Sequence, residues 1–349
     1  MANLTTILAT YPQGMWESLI SIFSTGVGSY VLGIILLTLV VKVVMLPLDF
    51  FQRYTTSSFS RSQAYLEPQK QKLEKRYAKN PKLLNESLNK LYKDNNVKMG
   101  SSCLILLLTF GLNIAILLTF WNGITAVANY QVIDQYDKYK ETYDIVYTET
   151  INEGKTTDEA TLAGQQAVLD VYGDYNTGFL WIKNIWKPDS PLVKSVPTFD
   201  EWVTLSKQTF ETDALKEEAR TKYETVMKLV MDQKQEVNGY FILPILVVAL
   251  MILSQYITRR SQMPPKEKLD QMTEEQKKSL KSGKAMQIAL PVIYAVFVIS
   301  TASLFAFYIF ISSLFTTLTT PLITKIVNVM EKKKDEKRLI EITADYKRR

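Results

Sequence analysis

The chain has 349 residues, of which 47% are hydrophobic and 22% are charged, and its formal net charge is +6. It contains no histidine, which excludes histidine catalysis and histidine metal ligands. Its single cysteine, Cys103, excludes an internal disulfide and a multi-cysteine metal site. The apolar residues are concentrated in blocks, which is typical of a membrane protein with soluble loops. We therefore expect no metal and no cofactor.

Residues 1–28 are predicted to form an external N-terminus with an amphipathic helix. The stretch "GMWESLISIFS" brings Trp16, Leu19, Ile20 and Phe23 to one face at helical spacing. Tryptophan is favoured at the membrane–water boundary, so we expect this helix to lie in the outer interface. The first residues have neither a basic region nor a small-residue cleavage site, so no cleaved signal peptide is expected.

Charge-free windows predict five membrane spans, because a helix of about 20 apolar residues crosses the hydrocarbon core. The window between Lys284 and Lys325 is about twice as long as one span requires, so it is predicted to form a hairpin that turns near Ser300–Ser303. The predicted spans are residues 29–48, 99–128, 240–258, 285–301 and 302–324. The fold class is therefore an all-α polytopic membrane protein with five transmembrane helices and its termini on opposite faces.

The charges of the connecting segments predict the orientation. Residues 129–239 carry 20 acidic and 12 basic residues, whereas the segments 49–98, 259–284 and 325–349 carry more basic than acidic residues. Basic residues are enriched in cytoplasmic loops. We therefore predict an external N-terminus, a cytoplasmic C-terminus and an acidic insertion outside the membrane.

Two of these soluble segments carry helical patterns. Residues 49–98 are predicted to form a helical hairpin interrupted at Asn80-Pro81. This basic hairpin is either solvated without a partner or a docking arm for ribosomal RNA, lipid headgroups or another protein. The basic tail, residues 325–349, is similarly a solvated tail or a contact for the ribosome or headgroups. Residues 129–239 are predicted to be mainly helical, as a spacer, a lid or a partner-binding domain.

An ordered series of motifs resembles the YidC/Oxa/Alb family of membrane protein insertases. The series comprises "KVVMLPL" in span one, Leu66-Glu67-Pro68, "LYKDNNVKMGSSCLILLL", "FLWIKNIWKPD", "YFILPILVVALMILSQ" and "MQIALPVIYAVFVISTASLFAFYIFISSL". The chain departs from the family at Lys42, where the family has an arginine, at Ser101-Ser102, where it has a glycine pair, and at Thr109-Phe110-Gly111, where it has Gln-Met-Pro.

The resemblance implies a function and a cellular location. It implies a multi-pass protein of the bacterial plasma membrane that inserts nascent membrane proteins and helps them to fold. A hydrophilic groove, open to the cytoplasm and to lipid, would receive the substrate without ATP. The implied partners are nascent membrane proteins, the ribosome at the basic hairpin, loop and tail, the Sec translocon and the lipid bilayer.

Polar residues within the spans are candidates for the lining of such a groove. Lys42 is the only charge inside the five predicted spans, and Thr38 lies one helical turn before it. The predicted groove residues are Lys42, Thr38, Thr109, Asn113, Tyr308, Ser312, Ser313 and Thr316. Two alternatives remain open: Lys42 snorkels to the cytoplasmic headgroups, and the hydroxyls bond to their own helix backbone or join neighbouring helices.

Two other functional classes fit the residues less well. A small-solute or ion transporter usually carries acidic residues within its spans and internal repeats, and this sequence places every Asp and Glu outside the predicted spans. An intramembrane enzyme would need acid–base groups, and the spans contain no histidine and no carboxylate pair. We therefore predict that the chain is not an enzyme.

Overall fold

The computed structural model of the chain describes residues 10–95, 99–262, 291 and 294–348. Helices dominate these residues, and their only pairings of β type are the isolated bridges Phe179–Ile182 and Lys194–Val237. The helices with defined bounds are α1 (Met15–Val27), α2 (Tyr30–Arg76), α3 (Pro81–Asp94), α4 (Met99–Asn152), α5 (Thr157–Tyr175), α6 (Phe199–Ser206), α7 (Asp213–Lys234), α8 (Ile242–Gln262) and α9 (Ser303–Arg348).

Three helices are long and apolar enough to cross a membrane. They are Tyr30–Ser62 in α2, Leu104–Asn152 in α4 and Ser303–Lys334 in α9, each of which contains an apolar stretch of at least 18 residues. They overlap most of the predicted spans one, two and five, which agrees with an all-helical membrane protein. A shorter apolar helix, Ile242–Ile257, lies at the position of predicted span three.

The predicted hairpin of spans four and five is visible in part. Residues 263–290, 292 and 293 lie outside the described residues, and with them most of the predicted cytoplasmic loop 259–284 and much of predicted span four, 285–301. Residues 294–300 are helical, 301 and 302 are not, and α9 begins at Ser303. The helix is therefore interrupted within the predicted turn, Ser300–Ser303, while the hairpin of spans four and five stays a prediction.

A left-handed glycine separates the N-terminal helix from the first apolar helix. Gly28 has φ +69°, ends α1, and donates its backbone N–H to the carbonyl of Ser24. A residue with a side chain rarely adopts this conformation. Gly33 then lies so close to the backbone of Ser24 that a Cβ would have no room. The two helices therefore pack closely at their shared end.

The basic hairpin is formed by the end of α2 and by α3. Asn80 caps α3 by accepting the N–H of Leu83 at 3.2 Å, and Pro81 occupies the first turn, where no N–H is needed. The predicted interruption at Asn80-Pro81 is thus confirmed. The sequence did not predict that α2 continues without interruption from its apolar part into this hairpin, or that α4 continues past residue 128 to Asn152.

Between α4 and α8, a bundle of shorter helices packs around aromatic side chains. Capping boxes at Thr156 and Thr198 begin α5 and α6. Trp202 is buried and donates to the carbonyl of Val132 at 3.3 Å, and the hydroxyl of Tyr223 donates to the carbonyl of Pro197 at 2.9 Å. The prediction that this region is mainly helical is confirmed.

The described residues divide into two compact units. The first unit contains residues 10–39, 119–253, 291 and 294–313, and the second contains residues 40–95, 99–118, 254–262 and 314–348. The aromatic bundle belongs to the first unit and the basic hairpin to the second.

Candidate functional site

Lys42 lies in the apolar part of α2 and is half-buried. Its neighbours Val40, Val43 and Val44 are 48%, 58% and 71% exposed, as expected of side chains that face lipid. Placing a charged side chain at the centre of a membrane span costs about 2.5 kcal/mol or more in free energy. An ammonium group retained there therefore calls for water, a counter-charge or a ligand.

Two further charges lie on the same face of α2 as Lys42. Asp49 and Arg53 follow it by seven and eleven residues, which in a helix brings all three to one side. Asp49 is close enough to interact electrostatically with both cations. We call these three residues the charged stripe. The sequence predicted a role for Lys42 alone of these three, although the spacing of Asp49 and Arg53 was a signal for them as well.

The end of the charged stripe is attached to α9 within the second unit. Arg53 Nη2 donates to Thr320 Oγ1 at 2.8 Å, and Thr320 is only 2% exposed. Arg61, two turns further along α2, donates to Asn328 Oδ1 at 3.3 Å. Both bonds join residues 267 positions apart. The two helices are therefore held in a constant register over this stretch.

Three predicted groove residues bond to their own helices. The hydroxyl of Thr38 donates to the carbonyl of Ile34 at 2.6 Å, and Thr38 is fully buried. The hydroxyl of Thr109 donates to the carbonyl of Ile105 at 2.8 Å, and the amide of Asn113 donates to the carbonyl of Thr109 at 2.8 Å. These bonds satisfy the polar hydrogens locally, while each oxygen keeps acceptor capacity.

Tyr308 belongs to a buried aromatic cluster of the first unit. Its ring lies 4.4 Å from the ring of Phe120 and 5.4 Å from that of Phe305, measured between centroids. Phe120 in turn makes an edge contact with Trp16 of α1 at 5.0 Å. Tyr308 is 6% exposed, so its ring packs here as part of the core.

The eight predicted groove residues are distributed over the two units. Thr38, Tyr308, Ser312 and Ser313 belong to the first unit, and Lys42, Thr109, Asn113 and Thr316 belong to the second. Ser312, Ser313 and Thr316 are half-buried, and each interacts with other groups. The groove that would unite all eight residues stays a prediction.

The second unit contains an open cavity of about 370 Å³ on one side of α9. Its polar lining includes two lysine ammonium groups and the Asn328 side chain that contacts Arg61. The lining residues are Ile257, Pro321, Thr324, Lys325, Asn328, Val329 and Lys332. Ammonium groups beside apolar side chains suit an anionic group attached to an apolar body.

In the first unit, one loop segment meets the starts of several apolar helices. We call Phe179–Asp189 the junction segment. The ring of Trp186 makes an edge contact at 5.1 Å with Tyr30, the first residue of α2. Ser303, the first residue of α9, donates its N–H and its hydroxyl to the carbonyl of Lys187 at 2.9 and 2.6 Å. The junction segment therefore holds the starts of α2 and α9.

Asp189 holds the start of α8 in the same way. Its carboxylate accepts the backbone N–H of Tyr240 at 2.8 Å and of Leu243 at 2.7 Å, and the indole N–H of Trp181 at 3.2 Å. Asp189 is 1% exposed. It supplies acceptors for the N–H groups at a helix start, which have no acceptor within their own helix. Nothing in the local sequence pairs Asp189 with residues more than fifty positions away, so its role was not predictable from the sequence.

An ion pair with a buried lysine lies beside the contact between Asp189 and the start of α8. Lys187 Nζ contacts Glu201 Oε2 at 2.9 Å, with the lysine side chain 3% exposed and the glutamate 42% exposed. Burial lowers the pKa of Lys187, and the hydrogen bond that Lys187 donates to Glu201 opposes that shift. Among the described residues, no group of three or more Cys, Asp or Glu side chains is arranged to hold a metal ion.

Comparison with known proteins then assigns the chain to a family. The model of the 60Kd inner membrane protein family matches residues 22–333, which include the apolar stretches of α2, α4, α8 and α9 except Lys334. The chain belongs to this family. It is the family of the YidC and Oxa1 proteins, so the resemblance read from the sequence motifs is confirmed.

Three curated relatives carry the name membrane protein insertase YidC. The protein from Clostridium perfringens is 38% identical over 125 residues, covering 36% of this chain and 50% of the relative. The protein from Clostridium tetani is 32% identical over 130 residues, covering 37% of this chain and 57% of the relative. The protein from Enterococcus faecalis is 39% identical over 93 residues, covering 26% of this chain and 32% of the relative.

The matched region therefore spans about half the length of the two clostridial relatives. Family membership and the apolar helices identify the chain as a bacterial membrane protein. The family is not one of catalytic enzymes.

Proposed function

We propose that the chain is a membrane protein insertase that accepts nascent membrane proteins and releases them into lipid without ATP. The observation that carries this proposal is the family match over residues 22–333, together with three relatives named as insertases. The charge of Lys42 inside an apolar helix gives the proposal a physical basis.

The mechanism follows from the cost of desolvation. Each unsatisfied polar group of a hydrophilic tail costs several kcal/mol in hydrocarbon. A water-containing groove that reaches partway into the bilayer shortens the dry path. Lys42 attracts acidic residues of the tail, and the incoming apolar segment then partitions into lipid, which provides the driving force.

The junction segment supports a groove that is closed at one end. It links the starts of α2, α8 and α9 by hydrogen bonds and ring contacts. We propose that this is the external end, with the N-terminus outside and residues 49–98, 259–284 and 325–349 in the cytoplasm. The surplus of basic residues in those three segments supports this orientation.

The same basic segments are the proposed contacts for the ribosome, and the lysine-lined cavity on α9 lies at the start of one of them. Basic surfaces bind the phosphates of ribosomal RNA through long-range electrostatics. Association with the Sec translocon is a further part of the proposal. It concerns substrates with large external domains, which a groove that crosses only part of the bilayer cannot translocate alone.

The proposal is tested by reconstitution of the full chain into lipid vesicles. A short, single-span substrate with a small acidic tail is synthesised in the presence of these vesicles, and tail translocation is scored by protease protection. We expect protection well above that of protein-free vesicles. Protection equal to the protein-free background, with the chain correctly folded, would exclude insertase activity for this substrate class.

A cellular test complements the vesicles. The native insertase is depleted, and this chain is supplied in its place alongside an empty-vector control. We expect short, Sec-independent membrane proteins to insert again. Insertion at the empty-vector level would remove the general insertase function.

The orientation has its own test. In a C103S background, single cysteines replace the exposed residues Leu162 on α5 and Tyr65 on α2, which are 58% and 74% exposed. We expect a membrane-impermeant thiol reagent to label L162C in intact cells and Y65C only after lysis. The reverse pattern would overturn the proposed orientation.

A further inference from the structure

Leu180 combines two unfavourable features in a loop of the first unit. It occupies a tight turn in which Phe179 and Ile182 exchange backbone hydrogen bonds at 2.8 and 3.0 Å. Its φ of +56° lies in the left-handed region, which glycine and asparagine adopt far more readily than leucine. Its side chain is also 72% exposed. A side chain that is so exposed buries little apolar surface against the rest of the protein, so packing does little to offset the unfavourable backbone conformation.

The depth of this turn relative to the apolar helices is fixed by its neighbour. The ring of Phe179 makes an edge contact at 5.4 Å with the ring of Phe307. Phe307 lies four residues, or about 6 Å, past the start of α9. The apolar part of α9 begins at Ser303. Leu180 therefore lies at the level where this membrane-crossing stretch begins.

The adjacent start of α8 shows the same exposure. Tyr240, whose N–H is held by Asp189, is 56% exposed, and Ile245 of α8 is 62% exposed. Tyrosine at the end of an apolar helix is typical of the boundary between headgroups and acyl chains. Exposed apolar surface thus continues along α8 to its start, where α8 meets the junction segment.

We infer that Leu180 is a membrane anchor: its side chain inserts into the lipid leaflet at the end where α2, α8 and α9 begin. Insertion into the acyl boundary removes the apolar side chain from water, which offsets the unfavourable backbone conformation. The junction segment then connects this anchor to the starts of α8 and α9 by hydrogen bonds and to the start of α2 by the ring contact of Trp186 with Tyr30. This role is independent of the insertase activity, because it concerns how the chain sits in its bilayer.

The test measures the depth of single labelled cysteines in the full chain. Cys103 is the only native cysteine, so C103S provides the background. L180C and Y240C carry an environment-sensitive fluorophore in vesicles of phosphatidylcholine and phosphatidylglycerol, and lipids with a nitroxide near the headgroup end of the acyl chain quench it. I245C is the positive control for lipid exposure.

L162C is the matched control for an exposed leucine outside the bilayer. Leu162 lies on α5, whose Gly164 packs against Tyr143 of α4. Tyr143 is about 35 Å along α4 from Phe120, which contacts Tyr308 near the start of α9. Leu162 is therefore remote from the proposed membrane surface.

We expect lipid quenching of L180C and Y240C to be close to that of I245C, and L162C to be quenched only by a water-soluble quencher. Quenching of L180C equal to that of L162C would overturn the anchor. The same conclusion would follow if L180C became shielded from water only when a second protein was added, because the residue at position 180 would then contact a protein and not lipid. Intrinsic tryptophan emission and elution as a single species establish that each variant is folded.

Discussion

The junction segment and the spans near Lys42 both hold polar groups beside apolar helices, but they satisfy these groups in opposite ways. In the junction segment the partners are distant in sequence: Asp189 bonds to Leu243, 54 positions away, and Ser303 bonds to Lys187, 116 positions away. In the spans, Thr38 and Thr109 bond to carbonyls four residues back in their own helices.

The difference has a mechanical meaning. Bonds between distant segments fix helix ends relative to one another, whereas bonds within a helix place no constraint on its neighbours. A protein that must admit a substrate between helices is expected to hold some helix ends together and to keep some polar side chains bonded within a single helix. Thr38 and Thr109 are of the second kind, whereas Arg53 joins α2 to α9 through Thr320.

The largest expected effect comes from removing the carboxylate at the junction. Substitution of Asp189 by Ala leaves the backbone N–H groups of Tyr240 and Leu243 and the indole N–H of Trp181 without their acceptor. Each buried unsatisfied donor costs about 1–3 kcal/mol, so we expect a loss of roughly 3 kcal/mol or more in the free energy of unfolding. Thermal unfolding in lipid nanodiscs measures it.

Asp174, which is exposed on α5, provides the matched control as D174A. Its unfolding temperature should stay close to that of the wild type. Equal unfolding temperatures for D189A and D174A would contradict the description of the junction as the rigid end of the molecule.

An intermediate effect is expected where the charged stripe is attached to α9. Substitution of Thr320 by Val removes the acceptor of Arg53 at nearly constant volume. Hydrogen bonds to charged groups contribute about 1.5–3 kcal/mol, so T320V should lose roughly 2 kcal/mol of stability. The adjacent T319V removes a hydroxyl that bonds to the carbonyl of Phe315 in its own helix and should lose less than about 0.5 kcal/mol. Chemical denaturation of the two variants side by side distinguishes them; equal losses would mean that the Arg53 contact contributes no stability.

A smaller effect, on activity, is expected at Lys42. Reversal of its charge in K42E replaces attraction of an acidic tail by repulsion. We expect K42E to raise the barrier to insertion by about 1.4 kcal/mol, which slows insertion roughly tenfold. K42R keeps the charge and should be tolerated. Insertion rates of an acidic-tailed substrate are compared for Lys, Arg, Glu and Leu at this position, and equal rates for all four would leave snorkelling as the only role of the ammonium group.

The smallest effect concerns an exposed ion pair on the aromatic bundle. Asp200 accepts hydrogen bonds from Arg220 Nη1 and Nη2 at 3.1 and 2.9 Å, and this partner lowers the pKa of the Asp200 carboxyl below its ordinary 3.8. Because the folded-state pKa is the lower one, the pair stabilises above pH 3.8 and its contribution is lost as pH falls through the folded-state value.

D200N should therefore lower the unfolding temperature slightly near neutral pH and not at all at a pH below both values. Unfolding temperatures over a pH series, with D174N as the control, test this prediction. A difference between D200N and the wild type that persists unchanged into strong acid would contradict the assignment to the Arg220 pair.

Much of the helical pattern was predictable because its signals are local. Asn80-Pro81 marks a helix start through capping and a fixed φ, and the long uncharged window before Lys325 exceeds one bilayer and must turn. The ends of α2 and α4 were not predictable by the same reasoning. Charges that begin at Asp49 or Asp134 mark where an apolar stretch ends, whereas an amphipathic helix continues across that point.

The candidate site was predictable only in part. An isolated Lys42 in an apolar run is visible in the sequence itself, and its cost points to a function. The attachment of Arg53 to Thr320 and the role of Asp189 depend on residues brought together by the tertiary fold, which leave no periodic signal. For Tyr308, a stripe of polar residues on α9 predicted a lining position, and the fold packs its ring between Phe120 and Phe305, a contact that the sequence does not reveal. Its place in a groove stays a prediction.

Pro47 lies inside α2, within the second unit, and has no N–H to donate to the carbonyl of Val43. A missing bond of this kind is a common cause of a bend in a long helix. Pro47 stands between Lys42 and Asp49, so a bend at this turn changes the distance between the two opposite charges. The electrostatic surroundings of the ammonium group therefore depend on the straightness of a single helical turn.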